Sequence, residues 1–160
     1  MSALPNTITA IIAREPGGPD VLQSVQRPMP APQPGELLIR VAAAGVNRPD
    51  LMQRSGMPTP PGTPDVLGLE AAGTVVAVGD GVQDFKPGDR VMALLNGGGY
   101  AQYCVALAAY CLPVPDELPL EDAASVPEAA FTVWHNLFEL GRLGAGDTVL
   151  IHGAASGVGS

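Results

Sequence analysis

Apolar and polar positions form short strand-like runs over Thr7–Ala13, Leu37–Ala44, Ala71–Val78, Arg90–Leu94 and Tyr100–Ala106, each bounded by Gly, Pro, Asp or Asn. Runs of this kind predict short strands joined by turns, and together they predict a β-rich domain over residues 1–125. Two proline clusters, Pro28–Pro34 and Pro58–Pro64, lack the N–H donors of a central strand and predict loops. From Val126 the period changes to that of a helix. Val126, Ala129, Ala130, Val133, Trp134, Leu137 and Phe138 share one face, which predicts a helix over 126–140. Ser125-Val126-Pro127-Glu128 reads as its capping box and Gly141 as its stop. Beyond a polar turn, residues 148–152 read as a buried strand that runs directly into a glycine-rich turn at 153–159.

Twelve of the seventeen prolines precede residue 65 and none follows Pro127, so the chain changes character near residue 120. Apolar residues make up 46% of the chain and charged ones 15%, a folding composition rather than a disordered one. Eight basic residues face sixteen acidic ones, for a net charge of −8. A chain this acidic has no broad basic face for phosphates, so no nucleic acid partner is expected. The apolar stretch Val105–Leu112 is far shorter than a bilayer span of ~20 residues, and no membrane partner is expected. The opening Met1-Ser2-Ala3-Leu4-Pro5-Asn6 lacks the order of a secretory signal, which predicts a cytoplasmic protein. Cys104 and Cys111 fit neither a disulfide framework nor a zinc CxxC pair, and read as reduced thiols.

A strand entering a glycine-rich turn is how a dinucleotide-binding βαβ unit opens, because bare backbone amides can then approach a pyrophosphate. The turn here carries Ala154 and Ser156 where a strict GxGxxG has glycines, so a plain tight turn stays open as a reading. A strand apolar on both faces also needs neighbouring strands and crossover helices that this sequence does not contain. The expectation is a piece of a longer protein.

The series Gly45-Val46-Asn47-Arg48-Pro49-Asp50, Gly68-Leu69-Glu70-Ala71-Ala72-Gly73, Lys86-Pro87-Gly88-Asp89-Arg90-Val91, Gly98-Gly99-Tyr100-Ala101-Gln102-Tyr103 and the 153–159 turn resembles the medium-chain dehydrogenase/reductase superfamily. Within it, the chain is most similar to the zinc-independent NADPH:quinone oxidoreductase branch of ζ-crystallin and the tumour-suppressor-inducible quinone oxidoreductases. The resemblance implies a β-rich GroES-like catalytic domain over 1–125. It further implies the start, at 126–160, of an α/β Rossmann cofactor domain with a doubly wound parallel sheet, truncated here. It implies NADPH as cofactor, a quinone or activated enone as substrate, and a homodimer for the complete protein. An enoyl reductase of the same superfamily and a non-catalytic crystallin-like protein are the alternatives.

Zinc-dependent members carry a Cys, a His and a third Cys or carboxylate where this sequence has Asn47, Leu69 and Glu128, so no metal site is expected. Quinones and enones delocalise an incoming hydride themselves, which leaves alignment of the two partners as the main catalytic task. The resemblance assigns catalytic roles to Asn47 and Asp50, and cofactor contacts to Asn47, Glu128, Thr132, Ala155, Ser156, Gly157, Val158 and Gly159. Plainer readings stand beside these. Asn47 is also a turn former, Asp50 a partner for Arg48 or Arg54, Glu128 half of a capping box, and Glu70 a buried hydrogen-bonding anchor in an apolar run. The 160-residue chain alone is expected to show no turnover.

Overall fold

The computed structural model describes residues 4–159, so Met1-Ser2-Ala3, on which the reading of the N-terminus partly rests, and Ser160 lie outside it. Seven strands form the body. β1 (Thr7–Ala13) and β2 (Leu22–Pro28) make an antiparallel hairpin in which Thr7 pairs with Pro28 and Ala13 with Leu22. The other strands are β3 (Glu36–Ala44), β4 (Glu70–Val78), β5 (Arg90–Leu94), β6 (Tyr103–Leu107) and β7 (Cys111–Pro113), in the spatial order β6-β3-β4-β5-β7. Every pairing among them is antiparallel, and the sheet curls into a half-barrel. Isolated bridges from Ala10 to Ala101 and Ile12 to Val66 stitch the hairpin to it. This is the β-rich GroES-like architecture expected from the sequence.

The alternation that predicted the strands also fills the core. Leu37, Ile39, Ala71, Val75, Val91, Ala93, Cys104 and Ala106 form one buried cluster inside the curl. Register shifts in the β3–β4 ladder, after Leu38 and after Val41, bend the two longest strands across it. Both proline clusters are loops beyond Pro28. Pro28 itself ends a strand that pairs with β1 alone, so its missing N–H interrupts no inner ladder.

Three helices follow the strand pattern less directly. α1 (Arg48–Arg54) has Asn47 as N-cap, α2 (Leu120–Ala123) is one turn, and α3 (Pro127–Trp134) continues into a wider π-turn at His135–Leu140. The helix expected over 126–140 is thus present, but its start corrects the sequence reading. Ser125 donates its hydroxyl to Asp122 O instead of capping α3, and the Glu128 N–H goes to the carboxylate of Glu70. A buried carboxylate is the stronger acceptor, so tertiary contact replaces the local capping box. The helical run does end at Gly141, whose φ is −75°, and the left-handed turn is taken by Arg142 at φ 51°.

Residues 148–152 form no strand, a second correction. They pair with no other segment among the described residues, and Leu150 is 79% exposed. A strand exists only where a neighbour completes its ladder, and the described residues offer it no parallel partner. The helix face is likewise uncovered: Trp134 and Phe138 stack with centroids 4.9 Å apart and are both exposed. His152 therefore ends no strand.

Cys104 and Cys111 are free and buried, and burial pushes both thiols up to about 12. Raised folded-state values mean that protonated thiols stabilise the fold below the ordinary thiol value of 9.0, with that contribution lost as pH rises towards 12. The native chain is expected to resist a colourimetric disulfide reagent at pH ~8, where unfolded chain reacts fully, and to lose denaturant resistance above pH ~9. Rapid labelling of folded protein would contradict the burial.

Candidate active site

The turn between β3 and α1 places Asn47 and Asp50 against the head of β4. Asp50 sits at the third position of α1, where its Oδ2 accepts the Asn47 backbone N–H at 2.8 Å and closes the first turn. The same carboxylate is only 3% exposed. It accepts two more donors, the Tyr100 hydroxyl on Oδ2 at 2.8 Å and the Gly68 N–H on Oδ1 at 3.2 Å. Neither Arg48 nor Arg54 pairs with it: Arg54 donates to Gly17 O instead. Asp50 is a buried acid held by N–H and O–H dipoles, with no cation among its partners in the described residues.

Glu70, the first residue of β4, is buried to 2% exposure and bridges two elements. Its Oε1 accepts Asn47 Nδ2–H at 2.8 Å, and its Oε2 accepts the Glu128 backbone N–H at 2.9 Å. Glycines make room. A Cβ on Gly45 would lie 2.1 Å from Glu70 Oε1, and one on Gly68, whose φ is +104°, would lie 2.7 Å from the Tyr100 backbone nitrogen. No buried side-chain nitrogen or oxygen lacks a partner among the described residues. Two buried carboxylates are tolerable because each is saturated with donors.

The electrostatics follow from this crowding of acids. Burial, Glu70 and Asp50 together hold the half-exposed Glu128 carboxyl above the usual carboxylate range. Burial, reinforced by the hydrogen bond to Asp50, raises the Tyr100 hydroxyl far above an ordinary phenol, so it acts as a donor at every physiological pH.

Asn47, Asp50 and Glu128 thus come together, and Thr132 lies one helical turn beyond Glu128 on α3. Ala155, Ser156, Gly157, Val158 and Gly159 form a separate exposed turn, closed by Ser156 N–H to Gly153 O at 2.8 Å and Gly159 N–H to Ser156 O at 2.9 Å. No hydrogen bond joins that turn to the carboxylate network among the described residues. Tyr100, Gly45 and Gly68 were not singled out from sequence. A buried tyrosine must give its hydroxyl a partner, which was the available signal, but only folding shows that the partner is fifty residues away. One surface cleft, of about 790 Å³, lies elsewhere, lined by Leu94, Asn96, Leu107 and Tyr110.

The curled antiparallel half-barrel is a GroES-like fold of the medium-chain dehydrogenase/reductase superfamily. The chain belongs to the alcohol dehydrogenase GroES-like domain family, whose model matches residues 33–116. It is 40% identical over 151 residues to the synaptic vesicle membrane protein VAT-1 homolog-like of Mus musculus, covering 94% of this chain and 36% of that protein. It is also 40% identical over 153 residues to a quinone oxidoreductase of Rattus norvegicus, covering 94% of this chain and 46% of that one. A mycobacterial protein solved in complex with NADPH superposes with a TM-score of 0.81 at 43% identity, over 95% of this chain and 47% of its own. The chain therefore spans less than half the length of these curated relatives. Among the described residues, no helix is long and apolar enough to cross a membrane.

Proposed function

We propose that the protein to which this chain belongs is an NADPH-dependent quinone oxidoreductase that works without zinc. The observation that carries the reading is the closed hydrogen-bond set joining Asn47, Glu70 and the first turn of α3. These are the positions that hold or flank the metal ligands in zinc-dependent members. Here Leu69 has no lone pair to offer, the Asn47 amide nitrogen is committed to Glu70, and both Glu70 oxygens are occupied. Tetrahedral zinc needs three protein ligands, and this donor set fits it poorly. Without a Lewis acid, alcohol oxidation loses its usual activation, whereas a quinone or activated enone accepts hydride by its own conjugation.

NADPH when bound supplies that hydride, and this chain's residues hold the partners in place. Gly157 and Val158 have backbone amides with no protein acceptor among the described residues, as a pyrophosphate site requires. Asn47, fixed by Asp50 at its backbone and Glu70 at its side chain, is the catalytic residue that orients the reacting pair. Glu128 and Thr132 flank it from α3. Residues 126–160 begin the Rossmann domain, and the exposed Trp134, Phe138, Leu150 and Ile151 are the surface its remaining strands and helices would cover. On the resemblance alone, the reading extends to a cytoplasmic homodimer.

The test is NADPH consumption by the protein as encoded by its gene, in metal-free buffer, with a para-benzoquinone as acceptor. Steady turnover that a chelator does not affect is expected. NADPH binding without quinone reduction would overturn the reading in favour of a non-catalytic role, and faster turnover of an enoyl thioester would select an enoyl reductase.

A further inference from the structure

Glu70 faces two donors of unequal freedom. The Glu128 N–H is fixed by the backbone of α3, while the Asn47 amide can turn over and exchange its oxygen and nitrogen ends with little change of shape. A carboxylate carries only lone pairs, so of the two Asn47 orientations only one makes a hydrogen bond, that with Nδ2–H towards Oε1 at 2.8 Å. Glu70 cannot swing away to accommodate the other. It is buried, its second oxygen is held by Glu128 N–H at 2.9 Å, and Gly45 packs directly over the carboxylate.

We propose that Glu70 is a positioning residue that sets the polarity of the Asn47 amide, so that its oxygen end is the acceptor that closes the first turn of α1 with the Asp50 N–H and presents its remaining lone pair to the bound cofactor and substrate. The proposal rests on the hydride-transfer reading of the site. It assigns Asn47 an N–H or O–H of the reacting pair as its ligand group, such as a carboxamide N–H or a hydroxyl. It also explains why an acid stands in an otherwise apolar strand head: glutamine in its place could accept from only one of the two donors.

The decisive comparison is Glu70→Gln against the charge-conserving swap Glu70→Gln/Asn47→Asp. In the single variant, the introduced glutamine accepts from Glu128 N–H with its oxygen and turns its NH2 to position 47. Asn47 then flips to keep its bond to position 70, and its NH2 replaces the oxygen that faced the Asp50 N–H and the ligand. In the double variant, the carboxylate introduced at position 47 accepts from the amide introduced at position 70 and again turns an oxygen outward. The single variant is expected to lose about tenfold to a hundredfold in kcat for quinone reduction, with little change in melting temperature. The double variant is expected to recover most of that loss. Wild-type kcat in Glu70→Gln, or a double variant no better than the single, would overturn the proposal. Should Glu70→Gln not fold, the double variant is compared with Asn47→Asp alone, which opposes two carboxylates; equal activity in those two would also overturn it.

Side-chain amide NMR of the cofactor-free protein reads the same polarity without turnover. The Asn47 NH2 protons are expected to exchange slowly with solvent. Fast exchange, as for an exposed asparagine, would overturn the assignment. A slowly exchanging signal in a protein that reduces no quinone would remove the proposed function and leave the Glu70–Asn47 polarity standing.

Discussion

Asp50→Ala is expected to remove about 3 to 5 kcal/mol of folding stability, measured by urea denaturation, because it orphans three donors at once. The Asn47 N–H, the Gly68 N–H and the Tyr100 hydroxyl all converge on a carboxylate that is 3% exposed. Each stranded donor costs about 1–3 kcal/mol, and the three costs overlap because a water entering the vacated space can satisfy part of the set. Domains of this size are stable by only about 5–15 kcal/mol, so the loss is a large share of the total. Asp50→Asn keeps the shape but turns an NH2 towards a donor, and is expected to fall between alanine and wild type. A loss under about 1 kcal/mol for alanine would mean that the pocket is already wet and that Asp50 anchors nothing.

Gly45→Ala is expected to damage the site more than any other single methyl group could. The added Cβ would sit 2.1 Å from Glu70 Oε1 and 2.7 Å from its Cδ, closer than atoms can approach. Glu70 must withdraw, which breaks its bonds to both Asn47 and Glu128. A stability loss of about 2–4 kcal/mol follows from overpacking plus the lost charge-assisted bonds. Quinone reduction by the protein as encoded is expected to fall about a hundredfold once Asn47 is released. Gly18→Ala is the matching control. Gly18 has open space around its missing side chain and an ordinary φ of −75°, so its replacement is expected to be neutral or slightly stabilising. Equal effects at the two positions would show that chain stiffness, and not the clash with Glu70, is what the site feels.

The strands that build the half-barrel were legible in the sequence because each is a short apolar run bounded by Gly, Pro, Asp or Asn, and β3, β4 and β5 are buried on both faces over part of their length. Thr7–Ala13 and Arg90–Leu94 match their expected bounds, and the other three differ at their ends by between one and three residues. Leu22–Pro28 was missed because none of its residues is buried, so no alternating apolar face marks it, and Cys111–Pro113 because three residues carry no period. The capping box at Ser125 was a correct local pattern that lost to a buried carboxylate from another strand. The strand at 148–152 was an apolar run whose ladder needs partners that the described residues do not provide.

What the sequence determined by itself is the set of short-range choices: where strands run, where prolines forbid a ladder, and where a helical period begins. Those follow from neighbours a few positions apart, which any chain carries in its own order. The tertiary structure alone decided that Asp50 meets Tyr100 and Gly68, that Glu70 joins Asn47 to the start of α3, and that Gly45 must lack a side chain. Those contacts join residues 18 to 58 positions apart, and a buried carboxylate takes whichever donors the closed sheet brings to it.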